Sequence, residues 1–249
     1  MVENFTAHIT PFGLDRNTFV YLPDDWQSSG RRYPVVYMFD GHNLFFDSTA
    51  TYGTCWGLKE YMDTHPQAII VAPECNHEGN ARLEEYSPYD FVWQEYDIKG
   101  RGKAYLDWMV QELKPLIDAK YPTLPDRENT AIGGSSMGGL MSLYGITAHN
   151  ETFSRAACLS PSVRFSFTEV KAGITANQKQ AQESVIEHLL SSLNIYKQME
   201  RCFHISPSFS ISSSQSASSG SICLRISSSN SGSSAYSSWT ISFSMLCSM

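Results

Sequence analysis

A glycine-flanked serine sits where an apolar run gives way to a helical one, and that junction constrains the chain more than any other segment. Thr130-Ala131-Ile132-Gly133 reads as a short strand. Gly133-Gly134-Ser135-Ser136-Met137-Gly138-Gly139 follows and contains G-x-S-x-G centred on Ser136. Leu140 to Thr147 then reads as a helix. Such a segment without context arises by chance in about one chain in ten at average glycine and serine usage. Strand before and helix after is the context a nucleophile elbow requires. There the serine occupies a tight turn, and side chains two positions away on either side would collide across it. Gly134 and Gly138 remove those side chains. The turn lifts Ser136 Oγ above the sheet and puts the Met137 N–H at a helix start, where the dipole favours negative charge. The competing reading is a glycine-rich turn without chemistry.

The surrounding pattern is that of an α/β fold. Thr18 to Leu22 reads as a strand ending at Pro23. Pro34 to Phe39 and Ala68 to Ala72 are continuous apolar runs, as expected of strands covered on both faces. Ala156 to Leu159 reads as another strand. Between Tyr105 and Lys120, apolar residues Leu106, Met109, Val110, Leu113, Leu116 and Ile117 recur at helical steps. Pro115 within that stretch predicts a kink or a helix in two parts. Strand–helix alternation of this kind predicts an α/β-hydrolase architecture, with a mostly parallel central sheet and helices on both faces.

A second donor for an oxyanion is expected in the loop after an earlier central strand. Phe39-Asp40-Gly41-His42-Asn43 fits that position, with the backbone N–H of His42 or of Asn43 as the candidate. The plainer reading of both is a satisfied turn.

Composition narrows the partners. A net charge of −7 disfavours nucleic acid, which wants a basic face. No apolar stretch approaches the ~18 residues of a membrane span, so no membrane association is expected. The first residues lack the basic-then-apolar pattern of a secretory signal. Cys55, Cys75 and Cys158 read as isolated free thiols, which suggests a cytoplasmic protein. Neither C-x-x-C nor H-x-x-x-H occurs, so no metal site is expected. Oligomeric state is not legible.

Residues 112–162 resemble the putative-esterase, esterase D-like family of α/β-hydrolases. The resemblance rests on Glu112 to Asp118, Tyr121-Pro122, Asp126-Arg127, Ala131 to Ser142, Phe153-Ser154 and Leu159-Ser160-Pro161-Ser162. Upstream, Val20-Tyr21-Leu22-Pro23 and Tyr37 to Gly41 look like early strands of the family, and Arg82 to Pro88 looks like its R-x-x-E-x-x-P loop. In all, the likeness covers roughly residues 10–170. It implies Ser136 as nucleophile of a serine carboxylic ester hydrolase, Met137 N–H in the oxyanion hole, an acyl-enzyme, a small-molecule ester substrate, and neither metal nor organic cofactor. Arg82 and Glu85 are either a solvated surface pair or a pair that orders the loop.

The chain departs from the family after about residue 170. A hydrolase of this fold needs an acid and then a histidine downstream of its serine. The histidines after Ser136 are His149, His188 and His204, and none sits in a family-like context. Ser184 to Tyr196 reads as a helix that carries His188. Residues 201–249 contain no Asp, Glu or Lys and are dominated by serine. The expected organisation is therefore a hydrolase core over 1–170, a helical segment over 171–200, and a low-complexity tail over 201–249 that is disordered or out of frame. Within the tail, Phe209-Ser210-Ile211 and Ile222 to Ile226 are the stretches able to pair as strands. Loss of a base costs about 10⁶ in turnover, whereas an oxyanion hole and binding alone retain about 10³–10⁴ over water. The expectation is an impaired esterase of poor solubility. An acyltransferase and a non-catalytic scaffold are the alternatives.

Overall fold

In a computed structural model, residues 1–172 are described, together with strands at 221–228 and 237–244. The strands of the body are β1 (Val2–Ile9), β2 (Leu14–Tyr21), β3 (Val35–Met38), β4 (Ile69–Pro73), β5 (Phe91–Trp93), β6 (Tyr96–Ile98), β7 (Thr130–Ser135) and β8 (Arg155–Leu159). Its helices are α1 (Leu58–Thr64), α2 (Ala81–Glu85), α3 (Gly102–Trp108), α4 (Lys114–Lys120) and α5 (Met137–Ala148). Six strands form one sheet in the order β1-β2-β4-β3-β7-β8. β1 and β2 join antiparallel, and β4, β3, β7 and β8 run parallel. β5 and β6 form a separate hairpin. The expected α/β fold with a mainly parallel sheet is what the chain adopts.

The apolar runs are explained by what covers them. Val20, Val35, Tyr37, Ile69, Val71 and Ile132 share one cluster with Tyr105 and Leu106 of α3, Ile117 of α4, and Leu140 and Met141 of α5. Phe19, Tyr21, Met38, Ile70 and Ala72 alternate with them on the other face. They pack with Leu44, Phe45 and Met62 of α1. A strand covered on both sides has no solvent face to mark with polar residues, hence the unbroken runs.

The helix expected over Tyr105 to Lys120 is divided. A π-helical turn, Met109–Leu113, separates α3 from α4, and Pro115 lies in the first turn of α4. Proline has no N–H and its ring collides with the carbonyl four residues back, so the wider turn lets the chain continue in roughly the same direction.

Tyr37 is fully buried, and its hydroxyl has no hydrogen-bond partner among the described residues. A stranded buried hydroxyl costs about 1–3 kcal/mol. Tyr37→Phe keeps the ring and removes the hydroxyl. It is expected to raise the unfolding free energy by about 1 kcal/mol in urea titrations, and a loss of stability would reveal a partner for the hydroxyl.

Beyond the body, β9 (Ser221–Ser228) and β10 (Ser237–Ser244) pair antiparallel, with Ile222 opposite Phe243. The alternation Ile222 to Ile226 thus lies in a strand. Phe209 to Ile211 and the helix expected over Ser184 to Tyr196 lie outside the described residues, as do His188 and His204.

Parallel pairing has one consequence that matters for chemistry. The carboxyl ends of β3, β4, β7 and β8 open on the same edge of the sheet. That edge carries the segments 40–43, 74–77, 136–138 and 160–162. It is where open α/β sheets present their binding crevices.

Candidate active site

Ser136 stands at the corner where β7 turns into α5, with φ 55° and ψ −115°. This backbone conformation is unfavourable for a side-chain-bearing residue, by about 1–3 kcal/mol, and persists only when its surroundings enforce it. Several contacts do so. The Ser136 N–H donates to Leu159 O at 2.9 Å, and Ser136 O accepts from Leu140 N–H and Ser162 N–H, each at 3.0 Å. Glycines permit the tight approach. A Cβ on Gly134 would lie 2.8 Å from the Gly138 carbonyl carbon, and one on Gly138 would lie 2.8 Å from Phe39 Cβ. Gly138→Ala must push Phe39 away from the elbow. We expect it to destabilise the fold by about 1–3 kcal/mol in urea titrations, whereas an unchanged midpoint would mean that the elbow has slack.

The corner exposes Ser136, as expected of a nucleophile. Its Oγ lies 3.1 Å from Ser162 Oγ. Met137 is the first residue of α5, so its N–H has no partner within the helix and lies at the dipole's positive end.

The neighbouring loop is built just as tightly. Phe39 N–H donates to Gly133 O at 3.0 Å, tying the exit of β3 to β7. Asp40 then takes the left-handed conformation, φ 58° and ψ 49°, before a turn at Gly41–Asn43. A Cβ on Gly41 would lie 2.0 Å from Ala72 O, so no other residue fits there. The Asn43 N–H donates to Asp40 O at 2.9 Å and is therefore engaged in the turn. His42 is buried, with Nε2 3.1 Å from Thr51 Oγ1 and Nδ1 without a hydrogen-bond partner. Burial lowers its pKa, against the opposing pull of Asp40.

Arg82 and Glu85 do not pair with each other, and neither is a solvated surface ion. Arg82 grips Asp40 with two bonds of 2.7 Å, from Nε to Oδ1 and from Nη2 to Oδ2. The Asp40 N–H also donates to Tyr86 Oη at 3.2 Å. Burial opposes the charge on Arg82, but bonding and attraction to Asp40 outweigh it and hold the guanidinium firmly protonated. Glu85 accepts from Arg16 Nη2 at 2.5 Å and from the Asn76 N–H at 2.9 Å. Burial pushes the Glu85 carboxyl up, with Arg16 pulling the other way. The two charges of the R-x-x-E loop thus brace two different segments, the turn after β3 and the loop after β4. Asp40 was missed by sequence reasoning. Its signal was its place, next to the obligatory glycine.

Three further side chains meet on this edge. Cys75 and His77 follow β4 and approach His42, and one ligand-type atom from each lies within 4.8 Å of the other two. Burial pushes the Cys75 thiol up to about 12. Cys75 is a free thiol, as read from the sequence, and it stands beside His77, two residues on, and His42, which is distant in sequence.

His149 is placed where it cannot serve Ser136. It caps the far end of α5, roughly 20 Å along the helix at 1.5 Å per residue. There its Nε2 meets Asp107 Oδ1 at 3.2 Å and its Nδ1 meets Glu151 Oε1 at 3.5 Å. Among the described residues, Ser136 Oγ is hydrogen-bonded to Ser162 and to no histidine. An open cleft of about 480 Å³, lined by Trp26, Arg31, Arg32 and Pro122, shares no residue with this edge.

Among solved structures, an IroE-like serine hydrolase from Shewanella oneidensis is similar over 71% of this chain and 56% of its own, with TM-score 0.56 and 20% identity. The BES protein from Bacillus cereus is similar over 82% of both chains, with TM-score 0.56 and 19% identity. At such identities the likeness speaks for the fold. Among curated proteins, an uncharacterized protein of Bacillus subtilis, YbbA, is 24% identical over 59% of this chain and 57% of its own length. Esterase Rv1288 of Mycobacterium tuberculosis is 31% identical over 53% of this chain and 26% of its own. The chain thus spans between about a quarter and rather more than half of these relatives. The family model described as putative esterase matches residues 10–231, which includes the elbow, the Asp40 turn and the Arg82–Glu85 loop. The chain therefore belongs to the putative esterase family of α/β-hydrolases.

Proposed function

We propose that the chain is a serine carboxylic ester hydrolase acting through an acyl-enzyme on Ser136. The observation that carries this reading is the exposed Ser136 hydroxyl on a positive-φ corner between β7 and α5. Ser136 Oγ attacks the acyl carbon of a small-molecule ester as its proton passes to solvent water, which later supplies the proton of the departing alcohol. The carbonyl oxygen takes on negative charge and is held by the Met137 N–H and, from the other side, by the N–H of His42. His42 is favoured over Asn43 because the Asn43 amide is already donated to Asp40 O. Collapse expels the alcohol, and water then releases the acid. Each oxyanion donor is worth about 10²–10³ in turnover. No organic cofactor enters these steps.

The proton acceptor is the weak point. With no histidine at Ser136 among the described residues, we infer that the chain is impaired: passage through the acyl-enzyme is slow, and most of the remaining rate rests on the oxyanion hole and binding without it. The same observation favours the rival reading of a non-catalytic scaffold. Siderophore-type esters are among the substrates to test, because one relative is a siderophore triacetylfusarinine C esterase of Aspergillus fumigatus. Free thiols at Cys55, Cys75 and Cys158 fit a reducing, cytoplasmic setting. None of the helices among the described residues is long and apolar enough to cross a membrane.

Fluorophosphonate labelling followed by peptide mapping tests the proposal. One probe per chain on Ser136, absent from Ser136→Ala, is the expected result. A folded chain that stays unlabelled after prolonged exposure supports the scaffold instead.

A further inference from the structure

We propose that His42, Cys75 and His77 form a binding site for one zinc-class divalent cation, at the edge of the sheet where β3 and β4 end. β3 and β4 are parallel neighbours, so the turn after one and the loop after the other emerge side by side. His42 comes from the first and Cys75 and His77 from the second. One ligand-type atom from each residue lies within 4.8 Å of the other two, and Cys75 Sγ is 4.0 Å from His77 Nδ1. A tetrahedral zinc with Zn–S near 2.3 Å and Zn–N near 2.0 Å needs ligand atoms about 3.4–3.6 Å apart. The gap is about an ångström, and all three residues lie in segments after β3 and β4 and not in the strands themselves.

The second observation is the state of the His42 ring. It is 3% exposed, and its Nδ1 is buried without a hydrogen-bond partner. Its Nε2 is 3.1 Å from Thr51 Oγ1. An Nε2–H donated to that hydroxyl leaves the Nδ1 lone pair bare, and a metal ion satisfies a buried bare lone pair. The His77 ring meets the His42 ring edge-on, with centroids 4.5 Å apart. Glu74 Oε2 lies 3.7 Å from His77 Nε2, on the side away from Cys75. A carboxylate behind a histidine is the usual support of a ligating ring. Two imidazoles and one thiolate suit zinc and its spectroscopic substitute cobalt better than magnesium or calcium, which prefer oxygen. Three protein ligands leave a fourth position for water or an outside ligand. On binding, the Cys75 S–H bond breaks, sulfur keeps the electron pair and ligates the cation, and the proton passes to solvent.

The test does not depend on ester hydrolysis. Co²⁺ is titrated into the reduced full chain, followed by competition with Zn²⁺. The expected result is one cobalt per chain with thiolate-to-cobalt absorption in the near ultraviolet, lost in Cys75→Ser. His77 is exposed, so His77→Ala is expected to fold normally. It should weaken Zn²⁺ binding by more than the roughly 10–100-fold expected of Glu74→Gln, which acts only through the His77 ring. Ser136→Ala is expected to keep the cobalt spectrum, so loss of the esterase reading leaves this one intact. Absence of the thiolate band at saturating Co²⁺ overturns the proposal. So does a band that survives Cys75→Ser, because another thiol is then the ligand.

Discussion

Turnover of p-nitrophenyl acetate is expected to sit about 10⁶-fold below that of a complete serine triad, and to change little in Ser136→Ala. A serine hydroxyl unaided by a base contributes almost nothing as a nucleophile, because it cannot shed its proton as the bond forms. What remains, about 10³–10⁴ over water, comes from the oxyanion donors and from binding, and these survive the substitution. Slow fluorophosphonate labelling should still distinguish the two proteins. A fast parent rate that collapses in Ser136→Ala would overturn the impaired reading, since it demands a histidine at Ser136. Imidazole added to the assay sharpens the test. It should accelerate the parent beyond the background that imidazole alone gives with this ester and leave Ser136→Ala at that background, because only the parent has a hydroxyl at 136 whose proton it can take.

The elbow was legible because everything it needs is local. Strand, glycines, serine and helix are consecutive, and the steric demand at Gly134 is felt across four residues, although that at Gly138 comes from distant Phe39. The parallel strands were legible for a related reason, since apolar runs bounded by turn residues need no partner to be recognised. Elements that depend on distant contacts were not. α1 spans seven residues and buries only Met62, too little for a helical period to emerge. β1 alternates Phe5, Ala7 and Ile9 with polar residues, but its place at the sheet edge comes from pairing with β2. The cluster joins the close pair Cys75 and His77, after β4, to His42, after β3, and only the parallel pairing of β3 and β4 brings the distant member in. Arg82 and Glu85 were visible as charges, but their partners, Asp40 and Arg16, are 42 and 69 residues away. The likeness carried by individual motifs spans roughly residues 10–170, whereas the family model matches residues 10–231.

Arg82→Met should cost about 3 kcal/mol of unfolding free energy, a large share of the 5–15 kcal/mol typical of a domain. Asp40 is 4% exposed, and both its oxygens are bound by the guanidinium. Removing Arg82 leaves a buried carboxylate stripped of both guanidinium hydrogen bonds. Breaking one side of a buried pair costs about 3–5 kcal/mol, and the low end applies here because Arg82 is itself 29% exposed in its side chain. The damage should reach the site as well. Asp40 is held in a left-handed conformation directly before Gly41 and His42, and once the clamp is gone that strain is free to relax. On the role proposed for the His42 amide, its drift should slow labelling of Ser136 by about 10²-fold, the worth of one donor. Urea titration and labelling rates on the same protein separate the two effects. The double variant Asp40→Asn/Arg82→Met restores much of the stability, since no buried charge remains, but not the labelling rate, since the clamp is still missing. A single Arg82→Met change that costs under about 1 kcal/mol would place the pair among ordinary surface bridges and remove its claim on the turn.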